Sequence, residues 1–157
     1  MAYIGSLADP GLLILPTHRG VCAPRTGTLI DRFFIRREWD GTTRERIVLY
    51  REGSMWSLHL RDRSLTRSSP LGDIACILLD NTVLRGVPPE NIFYHQDRQR
   101  VIAWAEACGG WAFLVEPVTP AVFRRVVRRG LLLPPKATYF YPKVVAGGLL
   151  YEHEQRC

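Results

Sequence analysis

An α+β fold, with a mainly antiparallel sheet of five or six strands and about three helices, follows from three features of the 157-residue sequence. Short apolar runs broken by Gly, Pro and Asp make the first half strand-rich. A β-hairpin pattern stands out over Arg46–Leu60. The second half alternates helix-period and strand-period segments with recognisable caps. The length suits one domain over residues 1–157 with a single core, and three helices are expected mostly on one face of the sheet.

Taken in order, Ala2–Leu7 reads as a strand cut short by Asp9-Pro10-Gly11, a turn signal. Leu12–Leu15 is a second apolar strand that runs into Pro16-Thr17-His18-Arg19. Residues 20–28, rich in Gly, Pro and Thr, read as a loop, and Phe33–Trp39 as a strand closed by the turn Asp40-Gly41. Arg46–Tyr50 and Met55–Leu60 flank the polar connection 51–54. In the second of these strands Met55, Ser57 and His59 alternate with Trp56, Leu58 and Leu60, so His59 is expected to face solvent rather than to act in catalysis. The polar stretch 61–70 reads as a link.

Beyond it, Gly72–Leu84 predicts a helix burying Ile74, Ile77, Leu78 and Leu84 and ending at Gly86. Asn91–His95 is a short strand. Asp97–Cys108 is a helix with Val101, Ile102, Ala105 and Cys108 inward, stopped by Gly109-Gly110, and Trp111–Val115 is a buried strand. Thr119 as N-cap and Pro120 at the first helical position open a helix that closes at Gly130. Its apolar stripe is Val122, Phe123, Val126 and Val127; Arg124, Arg125, Arg128 and Arg129 form the opposite stripe. Cations suit a helix C-terminus, and no aromatics interleave with these arginines, so a solvated face is the better reading than a nucleic-acid surface.

Composition narrows the function classes. Net charge is +6, and of 21 basic residues only Lys136 and Lys143 are lysines, so the basic surface is built from arginine and favours anionic partners. No apolar run approaches the roughly 20 residues that span a bilayer, the longest being Ile74–Leu79 and Gly147–Tyr151, and no charged-then-apolar leader opens the chain; a cytoplasmic protein without membrane contact is expected. The four cysteines lack metal-ligand spacing, and Cys76 and Cys108 fall in apolar helical patterns where small buried thiols are common, so neither a zinc site nor a disulfide framework is expected. Glu106 and Glu116 stand apart and form no acid/base pair. With no Gly-rich phosphate loop, zinc-protease helix or nucleophile elbow, ordinary hydrolase classes are not expected.

Two segments carry candidate chemistry. His18 and Arg19, following Thr17 at a strand end, offer a proton-transfer group and a bidentate anion clamp. Lys136 and Lys143 flank Tyr139-Phe140-Tyr141; a lysine held by a Pro-rigid loop is a point charge for phosphate or carboxylate. Thr138 adds a hydroxyl, and Tyr139 and Tyr141 add rings able to stack a base or cap a pocket. The structural alternative stands beside this one: His18 and Arg19 anchoring a loop, the tyrosines filling a core and an edge.

Three segments together resemble one family. Pro10 to Arg19 is similar to an apolar strand followed by a Pro-Thr-His-Arg motif. Trp111 to Thr119 is similar to a strand entering a penultimate helix, and Pro134-Pro135-Lys136-Ala137-Thr138-Tyr139-Phe140-Tyr141-Pro142-Lys143 to a closing motif. In order and spacing they resemble the C-terminal half of the domain of unknown function 1015 family, associated with ParB- or SpoOJ-type proteins, over about Ala2 to Tyr151. Ala137 stands where the family usually has Ser, and Ala146-Gly147-Gly148 is looser than its single Gly. The family's N-terminal half carries an Asp-Gly-His-His-Arg motif resembling that of free-serine kinases, and this sequence does not contain it. The resemblance implies an accessory half that binds a nucleotide or phosphorylated small molecule through Thr17, His18, Arg19, Lys136, Thr138, Tyr139, Tyr141 and Lys143. It also implies ATP and Mg as cofactors if a separate catalytic half is supplied, with docking to that half or self-association as the expected contacts. A nucleic-acid-associated module and a non-catalytic remnant are the alternatives. No enzyme class is assigned, because no complete catalytic constellation is present.

Overall fold

A computed structural model describes residues 6–67 and 70–143. The fold is α+β, and its centre is a six-stranded antiparallel sheet in the order β3-β5-β4-β7-β2-β6. Its strands are β2 (His18–Val21), β3 (Phe34–Glu38), β4 (Ile47–Arg51), β5 (Ser54–Leu60), β6 (Ile92–His95) and β7 (Trp111–Val115). A separate two-stranded sheet pairs β1 (Leu13–Leu15) with β8 (Tyr139–Tyr141). The described helices are α1 (Thr26–Phe33), α2 (Ser64–Arg67), α3 (Ala75–Asn81), α4 (Arg98–Ala107) and α5 (Pro120–Arg128). None is long and apolar enough to cross a membrane.

The hairpin β4–β5 forms as its pattern predicts. Arg51 pairs with Ser54 around a two-residue turn in which Glu52 and Gly53 both take positive φ, 49° and 80°. The strands β6 and β7 and the helices α4 and α5 also lie where expected. Asp97 accepts the Gln99 N–H at the start of α4, and Thr119 accepts the Val122 N–H at the start of α5.

Period two along each strand gives the sheet two different faces. On one face Val21, Leu49, Phe113 and Val115 pack against Ile30 of α1 and Leu78 and Leu79 of α3. On the other, Val48, Tyr50, Ala112 and Leu114 meet Val101, Ile102 and Ala105 of α4. Helices therefore cover both faces rather than mostly one. The short helix α3 is buried from both sides, because its residues Cys76 and Ile77 also form a second cluster with Val126 of α5, Ile14 and Phe140. Phe123 meets Phe140 edge-on at 5.4 Å, which fastens α5 to the two-stranded sheet.

Several expectations are corrected. Residues 20–28 are a loop only over 22–25: Gly20 and Val21 complete β2, and α1 begins at Thr26. Glycine in this strand is a packing requirement, because a Cβ on Gly20 would lie 2.5 Å from Trp104 of α4. The polar stretch 61–70 contains α2, whose start is organised by Asp62 accepting from the Ser64 N–H and hydroxyl. Val127 is 57% exposed rather than part of the buried stripe. Cys108 caps α4 at the surface, three residues past its last inward position, Ala105. His59 is half-buried and bonded to Ser57 at 2.9 Å. Residues 2–5 of the strand expected at Ala2–Leu7 lie outside the described residues, as do Ala146-Gly147-Gly148, the apolar run Gly147–Tyr151 and Cys157.

Candidate anion site at His18

Strand β2 places consecutive candidate residues on opposite faces. His18 and Gly20 face α4, and Arg19 and Val21 face α3. Thr17, His18 and Arg19 are all buried, at 7%, 8% and 0% exposure.

The His18 side opens into a cleft of about 320 Å3. Its floor is His18, Val48 and Leu114; its walls are Arg98 from the first turn of α4, and Trp39 and Arg44 from the β3–β4 connection. The connection is shaped locally. The Asp40 carboxylate accepts the Thr42 and Thr43 N–H groups, which hold its carboxyl down at about 2. The Trp39 indole N–H donates to the Thr43 carbonyl at 2.8 Å, fixing the ring as a wall. At the other side Asp97 donates its N–H to His95 Nδ1, and this turn delivers Arg98 to the rim.

His18 is held as a neutral donor. Its Nδ1 accepts the Val115 N–H at 3.1 Å, so the neutral ring carries its proton on Nε2. Burial, then the positive charges of Arg98 and Arg19, lower its pKa from 6.5 to about 4, with Asp97 opposing. Glu116, also at the cleft, is paired with Arg46 at 3.1 Å, while neither Arg44 nor Arg98 forms a salt bridge among the described residues. Two guanidinium groups thus stand against the carboxylates of Glu45 and Asp97, and at the His18 ring Arg98 outweighs Asp97. Such a cleft offers hydrogen-bond donors and a positive field to an anion.

Arg19 is no clamp for an outside ligand. It donates to the Thr17 carbonyl, its Nε lies 3.5 Å from Asp80 Oδ1, and its guanidinium sits 5.5 Å from the Tyr94 ring centroid. The Asp80 contact is an ion pair without good hydrogen-bond alignment, and Nε and Nη2 make no formed hydrogen bond. Burial pushes the Asp80 carboxyl up against the pull of Arg19. This is an internal charge pair that ties β2 to α3.

The closing motif meets the Pro-Thr-His-Arg segment through the small sheet, where Leu15 lies opposite Tyr139 and Leu13 opposite Tyr141. Thr138 and Tyr139 are half-buried, and Tyr141, Lys136 and Lys143 are exposed, Lys136 in a left-handed turn with φ 62°. None of them lines the His18 cleft. The sequence-based set thus divides three ways, and only His18 enters the cleft. Arg98, Arg44 and Trp39 were missed. The Asp97 cap marks Arg98 as the first residue of a helix, but only the sheet order puts that helix start beside His18.

The fold has a precedent. Over 88% of this chain it is similar to a conserved hypothetical protein from Pyrococcus furiosus, with a TM-score of 0.53 and 14% identity. This chain spans 60% of that protein's length. No protein-family model matches the chain, and no curated protein matches its sequence. Among the described residues, no three or more His, Cys, Asp or Glu side chains gather as a metal-holding group.

Proposed function

We propose that this chain binds a small phosphorylated or nucleotide-type anion in the His18 cleft. It would act as the accessory half of a two-part protein of the ParB/serine-kinase-like kind implied by the resemblance to the domain of unknown function 1015 family. The observation that carries the reading is the neutral His18 Nε2–H donor, buried in a cleft that it shares with Arg44 and Arg98, neither of which forms a salt bridge among the described residues. A neutral imidazole donates to a phosphate oxygen without needing a proton from solvent, and Arg44 and Arg98 supply the charge. The positive end of the α4 dipole adds to the same field. At about 320 Å3 the cleft lies near the lower end of ligand pockets, so it suits a phosphate with a small body and leaves a nucleoside to rest on Trp39 at the rim. The carboxylates at the cleft, Glu45 and the Arg46-paired Glu116, do not form the oxygen cage that Mg2+ takes, so no step is assigned here through a metal.

A thermal-shift series with inorganic phosphate, phosphoserine, ADP, ATP with Mg2+, and a short DNA duplex tests the reading. A ligand at a hundred times its Kd adds about 2.7 kcal/mol, a shift of several degrees. The shift should persist in Lys136→Ala and vanish in the Arg44→Ala/Arg98→Ala double variant. Loss in Lys136→Ala alone would move the ligand to the closing motif, and no shift with any anion would end the proposal. One observation favours the nucleic-acid alternative: Arg124, Arg125, Arg128 and Arg129 line one open groove of about 350 Å3 on α5, although Arg125 is tied to Asp73 at 2.8 Å. That alternative predicts a shift with the duplex alone, weakening steeply with salt.

A further inference from the structure

The end of β2 and the end of α4 bring together two cysteines that are 86 residues apart in sequence. Cys22 directly follows β2, and Cys108 caps α4. The Cys22 thiol donates to the Cys108 carbonyl at 3.2 Å, which sets its sulfur against the Cys108 residue, and the Cys22 thiol is among the groups that raise the Cys108 pKa. The juxtaposition is built by the backbone. A Cβ on Gly110 would lie 2.4 Å from the Val21 carbonyl oxygen and 2.9 Å from Cys108 Sγ, so only glycine lets the turn after α4 close onto the strand. Both thiols are reachable: Cys108 is exposed, Cys22 is half-exposed, and Cys22 lies in a cleft of about 350 Å3 with Arg51 and Trp111. Arg51 is stacked 4.3 Å over Trp111, which places a cation in the same cleft as the Cys22 thiol.

We propose that Cys22 and Cys108 are a dithiol/disulfide site, oxidised by a small acidic disulfide of the glutathione type and reduced by the corresponding thiol. The chemistry balances without another reactant. The Cys22 thiolate attacks one sulfur of the oxidant, forming a mixed disulfide and releasing one thiol of the oxidant. Cys108 then loses its proton to solvent, its sulfur displaces the second oxidant thiol from Cys22, and the internal S–S bond forms. Two protein thiols are oxidised and one disulfide is reduced to two thiols. Cys108 suits the resolving role, since burial of its sulfur and the adjacent Cys22 thiol hold its pKa up and keep it protonated until the mixed disulfide forms. Cys76, with 3% exposure, is out of reach of the oxidant.

The test uses the full chain carrying Cys157→Ser, so that only Cys22, Cys76 and Cys108 remain, treated with oxidised glutathione and read by intact mass and peptide mapping. The expected product has lost two hydrogens, carries no glutathione and yields one peptide pair joined through Cys22 and Cys108; its free thiols on denaturation fall from three to one. Adding Cys22→Ser or Cys108→Ser should instead leave one stable glutathione adduct on the remaining partner. A parent protein that accumulates adducts without the internal link, links to Cys76, or does not react while folded would overturn the proposal.

Discussion

Lowering the pH should cost this protein stability through His18 in a window that its surroundings define. The ring is neutral in the folded chain down to about pH 4, whereas an unfolded histidine takes its proton near 6.5. Above 6.5 both states are neutral and His18 contributes no pH dependence. Between 6.5 and about 4 the unfolded state binds the extra proton, so stability falls with pH at about 1.4 kcal/mol per unit. The full shift amounts to about 3 kcal/mol, an upper figure because an edge of solvent softens the burial. The groups that set the field on the ring are Arg98 and Asp97 at the start of α4, Arg19 on its own strand, and His95 on β6. His18→Asn keeps a short acceptor for the Val115 N–H and removes the titration. Urea melts of both proteins at half-unit steps from pH 7 to 4 give the difference directly, since acidic groups elsewhere titrate alike in each. Wild type should lose about 3 kcal/mol more than the variant across the series. A difference that stays flat would mean that His18 is solvated and free to charge, and the neutral-donor reading of the cleft would fall with it.

Two further outcomes are expected from the packing around β2. Asp80→Asn removes the carboxylate facing the fully buried Arg19 and should destabilise the chain by about 3 kcal/mol in chemical denaturation; a loss below about 1 kcal/mol would show that Arg19 does not depend on the pair. Gly20→Ala drives a methyl into Trp104 and should cost about 1–3 kcal/mol while shifting tryptophan emission as the indole is displaced from Phe93, whereas an unchanged spectrum and stability would argue against that close contact.

Much of the architecture was legible because it is local. The hairpin at Arg46–Leu60, the Asp97 and Thr119 caps and the buried strand at Trp111–Val115 each carry their cause within a few residues. What escaped was decided by distant partners. Gly20 reads as a loop residue until Trp104, 84 positions further on, is seen to need the space. Cys108 reads as inward by helical period, yet the helix ends one residue before it; its thiol bonds back to the Ala105 carbonyl, and its own carbonyl accepts the Cys22 thiol. The candidate site was half legible for the same reason. His-Arg on a strand end marked chemistry, but period two sends His18 to a cleft and Arg19 into the interior, and no local pattern tells which of the two stays open. Pairing Leu15 with Tyr139 does join the two motifs that the sequence singled out, through backbone contact rather than a shared pocket.

The sheet order has a consequence for how the chain acquires its shape. β2 is made early in the sequence, yet it lies between β6 and β7, and β1 pairs only with β8 near the far end of the described chain. During synthesis these strands must wait, with ladder groups unmatched, until about ninety later residues have emerged for β2 to meet β7 and about 125 for β1 to meet β8. The β4–β5 hairpin has no such delay and can form as soon as its turn leaves the ribosome. Loop closure over that distance slows the search and leaves apolar strand edges open to wrong neighbours, so β1 and β2 are the last of the described strands to become safe from aggregation.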